Sequence, residues 1–344
     1  MDCPRPTDGN DERVLLAHGE GGSLMRRLLA EHILPPLGRS GILPLDDAAV
    51  LPIIEGRPVI STDAFVVSPL FFPGGDIGCL AIYGTVNDLA VQGAEPLWLT
   101  LSLILEEGLP LSVLDRVLKS AADAARRCQV TIVAGDTKVV PRGAADRIFV
   151  STTGLGKLIE PGPSGAATIE VGDALIVSGP VGRHGIAILA AREQMHFEPP
   201  PTSDCAPLLE LTAALRAAGI RPRALRDATR GGVTAVLHEW SRDCGKTLAV
   251  EERRVPVTAE VRGVCELLGL DPLSIANEGT MVVAVRAEDA PTALSALRSV
   301  NAGKSSAQIG EIRERIAAPV VVKRAIGREQ PLIDPAGAPL PRIC

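Results

Sequence analysis

The chain ends in a thiol, and the residues before it favour an extended, movable end. Cys344 follows Pro335, Pro339 and Pro341. Proline removes backbone donors and holds the chain extended, so we do not expect this end to pack like a core segment. The stretch from Arg328 onward can span roughly 50 Å, which is enough to enter a pocket on its own body and then to visit a partner. A frayed end that happens to finish in cysteine is the alternative.

Aspartates stand beside apolar segments throughout the first half of the chain. They are Asp46 and Asp47 before 48–51, Asp63 after 59–61, Asp88 within 84–90 and Asp136 after 132–134. Because carboxylates at strand ends meet at the mouth of a sheet, where Mg²⁺ and phosphates bind, these positions predict a magnesium–nucleotide site. Capping of a helix or turn by each aspartate is the alternative.

Two glycine-containing segments could contact phosphates, although the chain has neither a Walker A motif nor G-x-G-x-x-G. Segments 19–22 and 84–85 would let backbone amides approach anionic oxygens closely. The first could equally be a flexible leader. Lys138, two residues after Asp136, would neutralise a phosphate or polarise a carbonyl oxygen, or simply form a surface ion pair with Asp136.

Two further motifs lie in the second half. Segment 227–232 leads directly into a predicted helix, so its backbone amides and the Arg230 guanidinium could bind an oxyanion or phosphate. Plain capping of that helix is the alternative. Glu278 precedes a predicted strand at 281–285, where it could act as a base or form half of a turn with Gly279. The spacing leaves both open.

Composition restricts the class of protein. A chain of 344 residues is long enough for two domains, and 46% hydrophobic with 2% aromatic content predicts cores of Ala, Val, Leu and Ile. The net charge of −6 argues against a nucleic-acid partner. We find no signal peptide and no apolar run long enough for a bilayer. Seven cysteines without a C-x-x-C pair predict a reduced, cytoplasmic protein.

The pattern of elements predicts an α/β fold with mixed sheets. We divide the chain into a glycine-rich extension (1–41), a first α/β domain (42–157), a second α/β domain (170–325) and a flexible tail (326–344). Strands are predicted at 59–61, 97–105, 131–134, 147–152, 174–178, 281–285, 308–312 and 319–322. The strongest helix is 112–127, in which Ser112 and Asp115 resemble a capping box.

Taken together, these segments resemble the HypE family, the carbamoyl dehydratases of hydrogenase maturation in the aminoimidazole ribonucleotide synthetase superfamily. The match spans nearly the whole chain, through motifs at 18–22, 46–51, 69–78, 84–90, 135–139, 178–185, 227–232 and 277–279. The ending at 341–344 is the most diagnostic motif, because the nucleotide-synthesis relatives lack it.

The resemblance implies a two-domain aminoimidazole ribonucleotide synthetase-like fold and a homodimer. ATP and Mg²⁺ would bind in a cleft built mainly from the first domain and its dimer partner. Cys344 would receive a carbamoyl group from a HypF-type carbamoyltransferase. ATP-dependent dehydration would convert that group to a thiocyanate, and the cyanide would pass to iron on a HypC–HypD-type scaffold for a [NiFe] hydrogenase.

The resemblance also implies residue roles. The catalytic residues would be Cys344, Lys138, which neutralises charge near the carbamoyl group, and Glu278, which helps to deprotonate its nitrogen. The metal ligands would be Asp46, Asp63, Asp88 and Asp136. The nucleotide-binding residues would be Gly21, Gly22, Asp46, Asp47, Asp63, Thr85, Asn87, Asp88, Asp136, Thr137, Asp227 and Arg230.

Other functions are open at this point. Selenophosphate synthetase and thiamine monophosphate kinase are ATP-using members of the same superfamily. The first needs a reactive cysteine close to the glycine-rich leader, and Cys3 lies some way before Gly19 with no motif around it. A non-catalytic scaffold, whose tail only docks a partner, is the alternative from a different class.

Overall fold

The computed structural model describes residues 13–20, 22–38, 48–334, 337 and 340–344. Among the residues singled out above, Cys3, Gly21, Asp46, Asp47, Pro335 and Pro339 lie outside this part of the chain. Within it, no helix is both long and apolar enough to cross a membrane.

The first half of the chain builds a four-stranded sheet with helices on one side. Its strands are β1 (Pro58–Phe65), β4 (Ala94–Glu106), β5 (Thr131–Val140) and β6 (Ile148–Leu158), in the order β1-β6-β4-β5. Only β4 and β5 run parallel. A short ribbon of β2 (Phe71–Phe72) and β3 (Gly75–Asp76) precedes α2 (Ile77–Val91), and α3 (Leu111–Arg127) follows β4. Near the start, α1 (Gly22–Leu28) continues into a π-helical turn, Leu29–Ile33.

The two faces of this sheet differ in what covers them. Along β4, alternate residues Leu99, Leu101 and Leu103 are at most 5% exposed, because they face the α2 and α3 side. The other face of β4 carries Ser102, half-buried, and Ile104, 42% exposed. This alternation shows that one face of the sheet is covered and that the described residues leave the other face largely uncovered.

The second half builds a seven-stranded sheet in the order β13-β12-β9-β11-β7-β10-β8. The strands are β7 (Ala174–Val177), β8 (Ala224–Asp227), β9 (Thr247–Glu251), β10 (Met281–Val285), β11 (Ala307–Arg313), β12 (Val320–Lys323) and β13 (Glu329–Pro331). The helices are α4 (Arg183–Arg192), α5 (Leu209–Ala217), α6 (Gly232–Cys244), α7 (Ala259–Leu268) and α8 (Ala290–Ser299). Every residue of β7 and β10 is buried, which explains their continuous apolar sequences.

The predicted mixed α/β fold is confirmed, while some local features differ from the prediction. Strands β2, β3, β8, β9 and β13 were not predicted. Helix α3 begins at Leu111 after Pro110, without a side-chain cap. The predicted capping box is absent because Ser112 already lies inside the helix, and the Asp115 carboxylate contacts the His32 ring at 2.7 Å instead.

The aspartates were expected at strand ends, and this expectation is wrong for three of them. Asp63 lies inside β1, Asp136 lies inside β5 and Asp88 lies inside α2. The strands extend past their apolar segments because polar residues are tolerated on a partly open sheet. Hydrophobic runs alone therefore underestimated the lengths of β1 and β5.

Candidate active site

Acidic side chains from both domains converge where the first sheet meets the second domain. Asp63 comes from β1, Asp88 from α2, Asp227 from the end of β8 and Glu278 from the loop before β10. Burial and the negative charges of Asp227, Asp204, Asp63 and Asp88 raise the pKa of Glu278 well above its ordinary value. The four side chains therefore lie close enough to influence one another's ionisation, and their predicted roles stay predictions.

Hydroxyl groups hold the two carboxylates of the first domain. The Thr85 hydroxyl donates to Asp63 at 2.8 Å, and the Ser61 hydroxyl donates to Asp88 at 2.6 Å. Burial raises the pKa of Asp63, and the nearby charge of Asp88 raises it further. Thr85 is itself fully buried and also contacts Thr152 at 2.5 Å. The buried Thr85 hydroxyl thus orients the Asp63 carboxylate.

In the second domain, the carboxyl group of Asp227 also has a raised pKa. It is 6% exposed, and burial followed by the charge of Asp88 raises its pKa to about 7. Like charges at short range disfavour ionisation of all members together. A cation or cationic group would relieve this repulsion, so the cluster is suited to bind one.

The loop that carries Glu278 is fixed by a residue that the sequence reasoning did not identify. The Asp204 carboxylate accepts hydrogen bonds from the backbone amides of Glu278 (3.0 Å) and Gly279 (3.1 Å) and from the Thr280 hydroxyl (3.0 Å). It lies in a proline-rich loop with no motif around it. Only its distant partners reveal its role.

Asn87 joins the two domains at the same place. Its side-chain amide donates to the carbonyls of Ala206 (3.1 Å) and Glu278 (3.4 Å), and its oxygen accepts from the Leu208 amide at 2.8 Å. The residue is 1% exposed. The predicted nucleotide contact of Asn87 stays a prediction, and the geometry shows a residue that positions the Glu278 loop.

The end of the chain lies in this site. Leu340 and Ile343 are 8% and 4% exposed, and Cys344 is half-buried against a hydrophobic cluster to which both domains contribute. We expected an end that does not pack like a core segment, and for residues 340–344 this is wrong, because backbone hydrogen bonds such as Val66 amide to Cys344 carbonyl (3.0 Å) satisfy the docked chain. In this docked state, the tail occupies a pocket of its own chain, which its predicted length allows.

The terminal thiol is close enough to the acidic cluster to interact with it electrostatically. Burial raises the pKa of Cys344 to about 12, and the charges of Glu278 and Asp63 raise it while Arg230 lowers it. Arg230 is exposed and lies between β8 and α6. The structure therefore brings Cys344, Glu278, Asp63 and Arg230 together, and the roles predicted for them stay predictions.

The motif 135–138 is not part of this cluster within one chain. Asp136 pairs with Ser102, Ser102 pairs with Ser151, and Ser151 pairs with Ala64. Paired residues point to the same face of a sheet, so Asp136 and Ala64 share a face. Asp63, the neighbour of Ala64 in β1, points to the opposite face. Three strand spacings, roughly 14 Å, also separate β5 from β1. Lys138 pairs with Asp136 at 3.2 Å, with both side chains more than half exposed, while Thr137 is buried on the covered face. The predicted roles of all three stay predictions.

The loop at 227–232 leads into α6, as predicted. Gly231 and Gly232 have φ of 75° and 60°, and a Cβ on Gly232 would lie 2.5 Å from the Ile275 carbonyl oxygen. Glycine is required there because the turn approaches another backbone closely. Gly22, at the start of α1, also has a positive φ, 79°.

The donor set fits Mg²⁺ only together with phosphate. The described residues contain no group of three or more His, Cys, Asp or Glu side chains that could hold a metal ion. Mg²⁺ commonly binds through one or two carboxylates plus substrate phosphates, and the adjacent Asp63 and Asp88 provide two. Asp136, which was also predicted as a metal ligand, lies on the opposite face of the sheet from Asp63 in the same chain.

Comparisons with known proteins agree with the fold. The AIR synthase related protein N-terminal domain matches residues 45–158, and the corresponding C-terminal domain matches residues 170–322. Carbamoyl dehydratase HypE of Escherichia coli (strain K12) is 46% identical over 337 residues, which cover 96% of this chain and 99% of that protein.

Two solved structures are similar over most of the chain. HypE in complex with ATP has a TM-score of 0.89 at 41% identity and covers 96% of this chain and 99% of that one. A HypE–HypF complex gives 0.77 at 43% identity, covering 81% and 90%. With relatives above 40% identity over nearly its whole length, the chain belongs to the HypE family of AIR synthase related proteins, the carbamoyl dehydratases of hydrogenase maturation.

Proposed function

We propose that the chain catalyses ATP-dependent dehydration of a carbamoyl group carried on its own Cys344, giving a thiocyanate that supplies cyanide ligands for [NiFe] hydrogenase. The observation that carries the proposal is the docked tail, which brings the terminal thiol within electrostatic range of Glu278, Arg230 and Asp63. A tethered substrate needs no separate binding event, because the tail keeps its local concentration high.

The reaction needs an oxygen to leave and two protons to be removed. The carbamoyl oxygen attacks the γ-phosphorus of ATP while a base takes one N–H proton, giving ADP and an O-phosphorylated imidate on sulfur. Cleavage of the carbon–oxygen bond then releases phosphate as the second N–H proton leaves, forming the C≡N bond. Phosphorylation is required because an unmodified carbamoyl oxygen is a poor leaving group.

Glu278 is our candidate for the base. It is 3% exposed, and its pKa is raised by burial and by neighbouring carboxylates, so its carboxylate would bind a proton strongly when formed. The Asp204 contacts with its loop fix where that carboxylate can lie. Arg230 would balance negative charge near the sulfur and the phosphates.

Asp63 and Asp88 would hold Mg²⁺ together with phosphate oxygens of ATP. When bound, the ion would neutralise charge on the triphosphate. Asp227, with its pKa near neutrality, would respond to whether a cation is present. The named ATP complex of a HypE relative supports ATP as the nucleotide.

We also propose that the active protein is a homodimer. The uncovered sheet face carries Ile60, 71% exposed, and Ile104, 42% exposed, which a second copy would bury. If two such sheets closed into a barrel, β5 of one chain would lie beside β1 of the other. Asp136, Thr137 and Lys138 could then join the other chain's site, where Lys138 would neutralise charge near the carbamoyl group.

The tail must also leave the site, since donor and acceptor proteins need the same sulfur. We propose a HypF-type carbamoyltransferase as donor, which the named HypE–HypF complex supports, and a HypC–HypD-type iron scaffold as acceptor. Both steps would take place in the cytoplasm, where Cys344 stays reduced.

Intact-mass measurement tests the proposal. The chain is incubated with a HypF-type carbamoyltransferase, carbamoyl phosphate and ATP, and the terminal peptide is followed over time. We expect a carbamoyl adduct on Cys344 that converts to a cyano adduct only with hydrolysable ATP. Absence of any adduct on the tail, together with undiminished iron cyanation by Cys344→Ala, would identify a non-catalytic scaffold instead.

A further inference from the structure

The body of the protein binds the tail through its backbone carbonyls. Arg192 donates through Nη1 to the Pro341 carbonyl at 2.7 Å and through Nη2 to the Arg342 carbonyl at 2.6 Å. His184 Nε2 contacts the next carbonyl, that of Ile343, at 2.5 Å. Three consecutive peptide oxygens directly before the terminal residue are thus engaged by two side chains of α4.

Both side chains are themselves held in place. Arg192 also donates through Nε to the Ser68 carbonyl at 3.0 Å, so its guanidinium is fixed between the body and the tail. His184 is fully buried, with Nδ1 2.8 Å from the Ser203 hydroxyl and its ring edge-on to Phe72 at 5.4 Å between centroids. The donor groups therefore need little reorganisation when the tail arrives.

The partners of His184 also determine its tautomer. A carbonyl oxygen can only accept, so Nε2 carries the proton and donates to Ile343. Nδ1 then accepts from the Ser203 hydroxyl, whose oxygen accepts from the Cys205 amide at 3.0 Å. Burial lowers the pKa of His184, which favours this neutral form.

We propose that Arg192 and His184 are positioning residues that form a tail clamp, which sets the place of the Cys344 sulfur by gripping the three carbonyls before it. This inference rests on the proposed function for the identity of the cargo. Because the three bonds end on backbone oxygens, the clamp would hold a free, carbamoylated or cyanated tail in the same register. Release of the tail then depends on breaking these bonds.

The accessibility of Cys344 to a thiol reagent tests the clamp without nucleotide or partner proteins. The protein is treated with iodoacetamide, and alkylation is followed on the Asp-N peptide that begins at Asp334. A docked thiol reacts slowly because it is half-buried and its pKa is about 12. We expect Arg192→Lys and His184→Phe each to accelerate alkylation about tenfold, the effect of losing one charge-assisted or buried hydrogen bond.

Matched variants distinguish a specific loss of the tail contacts from a general destabilisation of the fold. His184→Gln keeps a donor near the Nε2 position and should restore slow alkylation, whereas His184→Phe keeps only the ring. Arg253→Lys is the control for arginine, because Arg253 likewise donates to a backbone carbonyl, that of Ala325. Cys128, 4% exposed, reports on the fold and should stay unreactive in every variant.

Each outcome decides between the alternatives. Unchanged Cys344 alkylation in Arg192→Lys would overturn the clamp, whatever the dehydratase activity. If His184→Phe also exposes Cys128, the Arg192→Lys result alone decides. A confirmed clamp in a protein that never converts a carbamoylated tail would instead refute the proposed function. If both hold, Arg192→Lys should slow thiocyanate formation without changing the affinity for ATP.

Discussion

At the scale of single residues, the site is governed by carboxyl groups that oppose each other's ionisation. Glu278, Asp63 and Asp227 all have raised pKa values, and burial is the first cause in each case. Such clustering costs stability, because burial and like-charge repulsion both disfavour the ionised carboxylates. A buried cluster of this kind is characteristic of a functional site.

Replacing Glu278 by glutamine tests the base. Glutamine keeps the volume but cannot accept a proton from the carbamoyl nitrogen, so thiocyanate formation should fall about 10²- to 10⁴-fold. Carbamoylation of Cys344 should persist, and intact mass would show the carbamoyl adduct accumulating. Glu266→Gln, an exposed change on α7, is the control. Thiocyanate formation at the normal rate in Glu278→Gln would remove Glu278 from the mechanism.

Asp227 gives a pH dependence of stability. Its folded pKa, about 7, lies above the ordinary 3.8, so between these values the native state binds more protons than the unfolded state, and stability falls as pH rises. Asp227→Asn removes this pH-dependent loss of stability. The free energy of unfolding of the variant, relative to that of the wild type, should therefore rise by up to about 4 kcal/mol between about pH 4 and about pH 7 and stay constant at higher pH.

Urea unfolding in the presence of a chelator measures this difference. Asp243→Asn, which changes a half-exposed aspartate of α6, should show no comparable trend. A pH-independent difference between Asp227→Asn and the wild type would mean that Asp227 titrates normally.

At the scale of elements, backbone contacts determine where Glu278 points. A Cβ on Gly279 would lie 1.9 Å from the Asp204 carbonyl oxygen, so no side chain fits. Gly279→Ala should therefore push the loop away from Asp204, reduce the free energy of unfolding by about 1–3 kcal/mol and slow thiocyanate formation.

The control for that loop is Gly263→Ala, inside α7, where an added Cβ meets nothing within 4 Å. This change should instead stabilise the helix by about 0.5–1 kcal/mol. Urea unfolding and intact-mass assays measure both variants. Equal stability of Gly279→Ala and the wild type would show that the loop tolerates the displacement.

Elements with strong local patterns were predictable, and contacts across the chain were not. The apolar periodicity of α3 and the continuous apolar segments of β7 and β10 identified those elements from sequence. Asp204 was missed because its partners lie about seventy positions away, at Glu278 and Gly279. The elements that carry Asp63 and Asp136 were predicted too short, since β1 and β5 continue through polar residues.

The docked tail shows the same limit. Its hydrogen bonds go to Val66, Arg192 and His184, which lie far away in sequence. Local composition carries no information about such partners. Whether a segment docks depends on donors elsewhere in the fold.

At the scale of the whole molecule, the separation of Glu278 from Lys138 within one chain has a testable consequence. If each site takes Glu278 from one chain and Lys138 from the other, then Lys138→Ala and Glu278→Gln homodimers are both inactive. After mixing and subunit exchange, half of the dimers would be mixed, and each would contain one intact site. Dehydratase activity should return to about a quarter of the wild-type value.

The uncovered sheet face supplies the control for this complementation. Ile104→Glu, in both chains, puts a charge on the proposed interface and should give monomers by sedimentation and no recovered activity. Leu268→Glu changes a residue of nearly equal exposure, 43% against 42%, on the second domain and should leave dimers and complementation intact. Activity that stays absent after verified subunit exchange would place Lys138 outside the site, because shared sites cannot fail to complement once mixed dimers have formed.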